Sequence, residues 1–313
     1  MLYISMIHNG IVIIAAILLT IPCWNANDYE GHVLYVGGSG EGNYTSIQAA
    51  INAATDGDII KVYENVYHES IVVYKSLDII GIGKPVIEGG EIAVKLLFHD
   101  ITFQNFIIRN YSKVGIYLSS PLIWISKNTV EGCKNSMGIY VMHGDLVSLE
   151  NNIIRGNEIG VYIEGADDVT IMNNTIDNNG IGISLHGEKR LEIRANLFSS
   201  NNIGFYMRAC FGNMVSYNKF MNNRYGIKLD DSLCNFIQNN YFIGNFIHAY
   251  FEVELKHFVG AIIVRNFWLH NYWDNWNYCV PKPIFGMIHR ERCHYCGDFS
   301  SMPWINFDWN PLP

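Results

Sequence analysis

Five ionisable side chains recur at one fixed interval: Glu164, His186, Arg208, Asp230 and Glu252 stand 22 residues apart. Two residues before each, the same interval carries Tyr162, Ser184, Tyr206, Lys228 and Tyr250, and Tyr117 and Tyr140 extend that series upstream. If the interval is one structural repeat, each set becomes a column on a single surface. Carboxylates in line could act as acid and base on a glycosidic bond. Asp230 and Glu252, one strand spacing apart, would approach the ~5–5.5 Å separation of a retaining pair. The same column could instead be a ladder of surface ion pairs, Glu164 with His186 and Arg208 with Asp230, each worth under about 1 kcal/mol. The tyrosines at 117, 140, 162, 206 and 250 could form a platform on which sugar rings stack. They could equally be strand-forming residues with cross-strand partners.

A third group lies near the C-terminus: Cys279, His289, Cys293 and Cys296. A Cys-x-x-Cys pair with a further Cys and His can hold a tetrahedral structural zinc, with His294 as a rival ligand. In an exported chain the same cysteines favour disulfides, Cys279 with Cys293 or Cys296. Cys210 and Cys234, in adjacent repeats and two places out of register, offer another pair. No cofactor is implied beyond this possible zinc.

What must position these columns is a solenoid. Asn152, Asn174, Asn196, Asn218 and Asn240 are 22 residues apart, as are Asn157, Asn179, Asn201, Asn223 and Asn245, and Gly160, Gly182, Gly204 and Gly226. A fixed period built of short apolar alternations and Asn/Gly turns predicts stacked coils. The alternation has period two, so each segment is a strand. Ile183, Leu185, Ile176 and Phe198 point inward, while the tyrosine and charged positions point outward. About three short strands per coil make a parallel β-helix. The ten columnar asparagines are read as structural, hydrogen-bonded to their equivalents in the next coil ~4.8 Å away.

The flanks read differently. An apolar run from Gly10 to Ile21 is short for a membrane span, so residues 1–27 are a secretory signal or, alternatively, an N-terminal anchor. Thr45 and Gln48 form a capping box for a helix carrying Ile47, Ala50, Ile51 and Ala54, which would cover the open end of the first coil. Residues 28–260 are thus a β-helix with an N-terminal helical cap. Residues 261–313, rich in Trp and Cys, form an irregular C-terminal cap. A net charge of -8 without a basic run argues against a nucleic-acid partner.

The segments Tyr44–Ile51, Gly57–Val62, Glu69–Ile71 and Leu77–Gly81, followed by Asn-x-Ile/Phe coils and by Asn271-Tyr272-Trp273-Asp274, resemble right-handed parallel β-helix proteins of the pectin-lyase-like class. The repeated coils resemble the NosD-like subgroup typical of archaeal surface proteins. That resemblance, over about residues 33–278, implies an all-β right-handed parallel β-helix. The apolar N-terminal run predicts an exported or cell-surface protein, and the two columns predict a polysaccharide or envelope glycan as its partner. Lyases, hydrolases, adhesins and non-catalytic proteins share such coils. The aspartate cluster of polygalacturonases and the acidic calcium cluster of pectate lyases have no counterpart in this chain. The reading is therefore a non-catalytic glycan-binding protein, with a lyase or hydrolase acting on an acidic glycan as the alternative. Metal delivery, as for the subgroup's namesake, would fall to Met137, Met142 and His143, which do not converge in the predicted register.

Overall fold

The structure, a computed structural model, describes residues 31–254, 265–278, 280–289 and 301–312. The chain winds as a parallel β-helix of three ladders. A front ladder of long strands includes Met137–Met142, Ile159–Glu164, Ile181–His186, Ile203–Arg208, Tyr225–Asp230 and Ile247–Glu254. A side ladder runs through short strands such as Ile123–Ser126, Ser148–Glu150, Thr170–Met172 and Glu192–Arg194. Among the described residues the back ladder has ten strands, including Thr175–Asp177, Leu197–Ser199 and Lys219–Met221.

Period-two alternation sets the interior, as expected. Ile183, Leu185, Ile176 and Phe198 are fully buried, while Tyr162 faces out beside buried Ile163. Down the back ladder, Phe198, Phe220, Phe242 and Trp273 stack nearly parallel, with ring centroids 4.7, 5.0 and 4.2 Å apart. The repeat glycines are explained by close approach between coils rather than by backbone torsion. A Cβ at Gly182 would lie 2.3 Å from the Gly204 carbonyl oxygen, so no side chain fits there.

Both asparagine columns are buried ladders. The Asn174 backbone N–H donates to Asn196 Oδ1 at 2.9 Å, and the Asn174 amide donates to the same oxygen at 3.0 Å. Asn196 Nδ2 in turn donates to the Ile171 carbonyl and to Asn218 Oδ1. Each rung thus satisfies a turn that water cannot reach. The residue before each rung takes the left-handed conformation, as at Asn151, Asn173 and Asn239, a conformation asparagine tolerates well. A third ladder, Asn213, Asn235 and Asn266, lines the corner before the side strands. It was not anticipated, although Asn213 and Asn235 carry the same 22-residue spacing.

The ends differ from expectation in detail. The helix spans Ile47–Ala53, and its N-cap is Ser46, not Thr45. The Glu69 carboxylate completes the cap, accepting from the N–H groups of Ile47 and Gln48 at 2.8 and 3.1 Å. Gln48 is thereby released from the expected box. Its side chain accepts from the Val72 N–H and donates to the Val72 carbonyl, satisfying the edge of the first front strand. At the other end, Lys282–His289 adds to the front ladder and pairs antiparallel with Ser301–Asp308, which reaches the side ladder at Trp268. The first asparagine ladder ends there. Buried Asp308 accepts from the Asn271 N–H, the Asn271 amide and the Trp273 indole at 3.0–3.1 Å. Residues 1–27, expected as a signal or anchor, lie outside the described residues.

Truncating Phe220 to Ala removes the middle ring of the stack, and the expected cost is about 3–5 kcal/mol. Asn196→Ala strands the buried backbone N–H of Asn174, at about 1–3 kcal/mol, while the Asn174 amide keeps the Leu149 and Met172 carbonyls. Urea unfolding of both variants checks these values, and a midpoint unchanged in Asn196→Ala would mean the ladder carries no stability.

Candidate functional site on the front ladder

Strand pairing puts the predicted residues in two unbroken columns. Tyr117, Tyr140, Tyr162, Ser184, Tyr206, Lys228 and Tyr250 are successive Cα partners, preceded by Lys95. Beside them run Met142, Glu164, His186, Arg208, Asp230 and Glu252. All the front-face candidates are therefore brought together on one sheet.

The columns are linked by hydrogen bonds that the sequence did not reveal. The Tyr140 hydroxyl donates to Glu164 Oε2 at 3.0 Å, and the Tyr206 hydroxyl donates to Asp230 Oδ2 at 3.1 Å. Each tyrosine thus reaches diagonally to the carboxylate one coil on. Burial, and then the neighbouring carboxylate, push both phenols up to about 12. They remain protonated donors across the physiological range. Arg208 approaches Asp230 at 3.8 Å and Lys228 meets Glu252 at 3.3 Å. Glu164 is held by Tyr140 rather than by the expected partner His186, whose ring instead meets Tyr162 edge-on at 6.0 Å.

The tyrosines do not present a flat platform. Tyr117 and Tyr140 meet at 74°, and Tyr140 and Tyr162 at 50°, so each ring leans on its neighbour and all are half-buried. At a strand spacing of ~4.8 Å, rings standing straight out would overlap, and tilting relieves that crowding. What the face offers a ligand is a ridge of ring edges and hydroxyls bordered by charge.

Other expected groups fall elsewhere. Cys279, Cys293 and Cys296, with His294, lie outside the described residues, and His289 ends the strand Lys282–His289. Cys210 and Cys234 are free thiols, as is Cys133, so the expected pairing of adjacent coils is not formed. Cys210 is buried in a corner, which pushes its thiol up to about 11. Two further groups escaped the sequence reading. His248, in the last position of the glycine column, contacts Asp274 Oδ1 through Nε2 at 2.7 Å and the Asn245 amide through Nδ1 at 3.2 Å. Burial holds its pKa below the usual value, so it remains a neutral latch between the second asparagine ladder and the segment after it. Glu188, at the corner after Ile181–His186, is 1% exposed and accepts from the N–H groups of Gly165 and Ala166 at 3.0 and 3.3 Å.

A family model described as periplasmic copper-binding protein (NosD) matches residues 51–232, more than half of the chain. The chain belongs to the NosD family. No curated protein matches it by sequence. Among solved structures, XylC in complex with xylose is similar with a TM-score of 0.57 at 12% identity, over 71% of this chain and 69% of that one. DFA-IIIase from Arthrobacter chlorophenolicus A6 in complex with DFA-III gives 0.51 at 13% identity, over 86% and 90%. Pectate lyase Pel9A gives 0.45 at 14% identity, over 70% and 74%. At such identities the likeness is one of fold.

The donor set of the NosD-family coils does not fit copper among the described residues. No three His, Cys, Asp or Glu side chains there converge as a metal site. Met142 Sδ accepts from the Tyr117 hydroxyl at 3.4 Å, and His143 stands exposed at a corner. Burial keeps the Cys210 thiol from ionising near neutral pH.

Burial outweighs the backbone donors at Glu188 and raises its carboxyl to about 7. A carboxyl raised on folding binds more protons in the native state than in the unfolded chain. Its stabilising contribution is complete below about pH 4.5 and is lost as pH rises through about 7. Urea midpoints between pH 5 and pH 8 should fall in the native protein and fall less in Glu188→Gln. Equal slopes would show that Glu188 titrates normally.

Proposed function

We propose that the protein is an exported, non-catalytic β-helix that binds a polysaccharide or cell-envelope glycan along its front ladder. The observation that carries this reading is the pair of in-register columns. They present a tyrosine hydroxyl, an ionisable group or both at every coil from Tyr117 to Glu252. A ligand that itself repeats can meet equivalent groups again and again, with affinity arising from their number. Lys95, His186 and Arg208 suit uronate or sulfate groups, and the hydroxyl oxygens of Tyr117, Tyr140 and Tyr206, whose hydrogens go to Met142, Glu164 and Asp230, accept from sugar hydroxyls. Export agrees with the periplasmic description of the family. Two proteins of like fold, in complex with xylose and with DFA-III, are in keeping with a sugar ligand.

The way the carboxylates are engaged supports the non-catalytic reading. Glu164 and Asp230 accept from tyrosines, and Asp230 and Glu252 each face a cation. A general base needs an accessible lone pair. These groups instead serve to hold the ridge in shape.

Binding of an oligouronate series to the native protein, Tyr206→Ala and Arg208→Ala tests the reading. The native protein should bind, more weakly as salt rises. Arg208→Ala should lose about tenfold, the equivalent of ~1.4 kcal/mol for one charge-assisted contact. Equal binding by all three, or none by the native protein, refutes the front-ladder site. Bond cleavage that disappears in Asp230→Asn or Glu252→Gln would establish the lyase or hydrolase alternative.

A further inference from the structure

The side ladder carries a cleft of about 390 Å³ that plays no part in the front-ladder site. Its wall is built around Trp124, which is 50% exposed on the strand Ile123–Ser126. The strand partners of Trp124 are Thr102 on one side and Ser148 on the other. Small hydroxyl residues on both flanks leave the indole standing clear. Elsewhere in the same column, Phe236 and Phe267 fill one another's flanks, stacked at 4.9 Å.

The rim two residues further along is polar and organised. Ser126 donates to the side-chain oxygen of Gln104 at 3.4 Å, which leaves the Gln104 amide nitrogen as its donor to the cleft. The Ser148 hydroxyl donates to Glu150 Oε1 at 2.7 Å and steers that carboxylate, a pure acceptor. Lys127, at a left-handed corner, also lines the cleft. Its charge offsets that of Glu150, so the cleft is neutral overall.

From this arrangement we infer that the Trp124 cleft is a second glycan subsite, selective for an uncharged hexopyranose ring. One face of such a ring is a patch of C–H groups of about the area of an indole. Its edge carries hydroxyls that both donate and accept. The cleft supplies the complement of each: a free aromatic face, an acceptor in Glu150, and donors in Gln104 and Lys127. A uronate would set its charge beside Glu150 in a site without surplus positive charge, so acidic sugars are disfavoured here. The inference stands apart from the front-ladder reading, because face, residues and ligand charge all differ.

Calorimetric titration of the full chain with neutral oligomers of glucose, mannose, galactose and N-acetylglucosamine tests the site. The expected result is binding of at least one series, weakened tenfold or more in Trp124→Ala and also weakened in Glu150→Gln. Phe246→Ala, at an exposed ring several coils away, should bind as the native protein does. Trp124 contributes little to the core, so unchanged melting of Trp124→Ala will show that the loss is local. Failure of every neutral series to bind, or undiminished binding by Trp124→Ala, overturns the proposal. Binding of oligouronates with no neutral binding would leave the front ladder standing and this subsite refuted.

Discussion

Every turn of this helix points backbone donors into a space that water cannot enter, and the fold depends on satisfying them. The asparagine ladders do so coil by coil. Each Oδ1 accepts both a main-chain and a side-chain N–H from the coil before, while each Nδ2 reaches back to a carbonyl. A buried unpaired donor costs about 1–3 kcal/mol, and the main-chain N–H of each rung relies on the next Oδ1. No alternative side chain offers an acceptor and a donor of the same reach. The strict 22-residue interval of the middle coils follows, because a one-residue slip would leave a ladder position without its amide and would turn core residues outward.

With the corners fixed, the faces are free to vary, and they do. The front column changes from Tyr to Ser to Lys without disturbing the coil beneath. The side column passes from Trp124 through Ser148, Thr170 and Glu192 to Met214 and Phe236. Two neighbouring surfaces of one scaffold therefore hold different chemistry at the same spacing.

The fold was legible because its rules are periodic. Period two gave the inward set, and the Asn and Gly intervals gave the corners. The membership of each column was legible for the same reason. How its members meet was not. That Tyr140 reaches Glu164, while His186 turns edge-on to Tyr162, depends on ring tilt under crowding, which spacing alone does not encode. Glu69 as the helix cap was hidden because its partner lies in a different element, 22 residues from Ile47. Trp124 was hidden because its meaning rests on two small cross-strand neighbours, each more than twenty positions away.

The first asparagine ladder has a direction, and its last rung is not an asparagine. Along its length every amide gives one hydrogen back to a carbonyl and one on to the next coil, where the final member need only accept. Asp308 is suited to that place, since a carboxylate has nothing to donate onward. The antiparallel pair Lys282–His289 and Ser301–Asp308 thus covers the end where another coil could stack. A helix ending on an asparagine would offer a further molecule both a strand edge and an unfilled donor, an invitation to head-to-tail fibres. Ending on an aspartate, with the front and side ladders joined by one antiparallel pair, closes that route in the same stroke that completes the core.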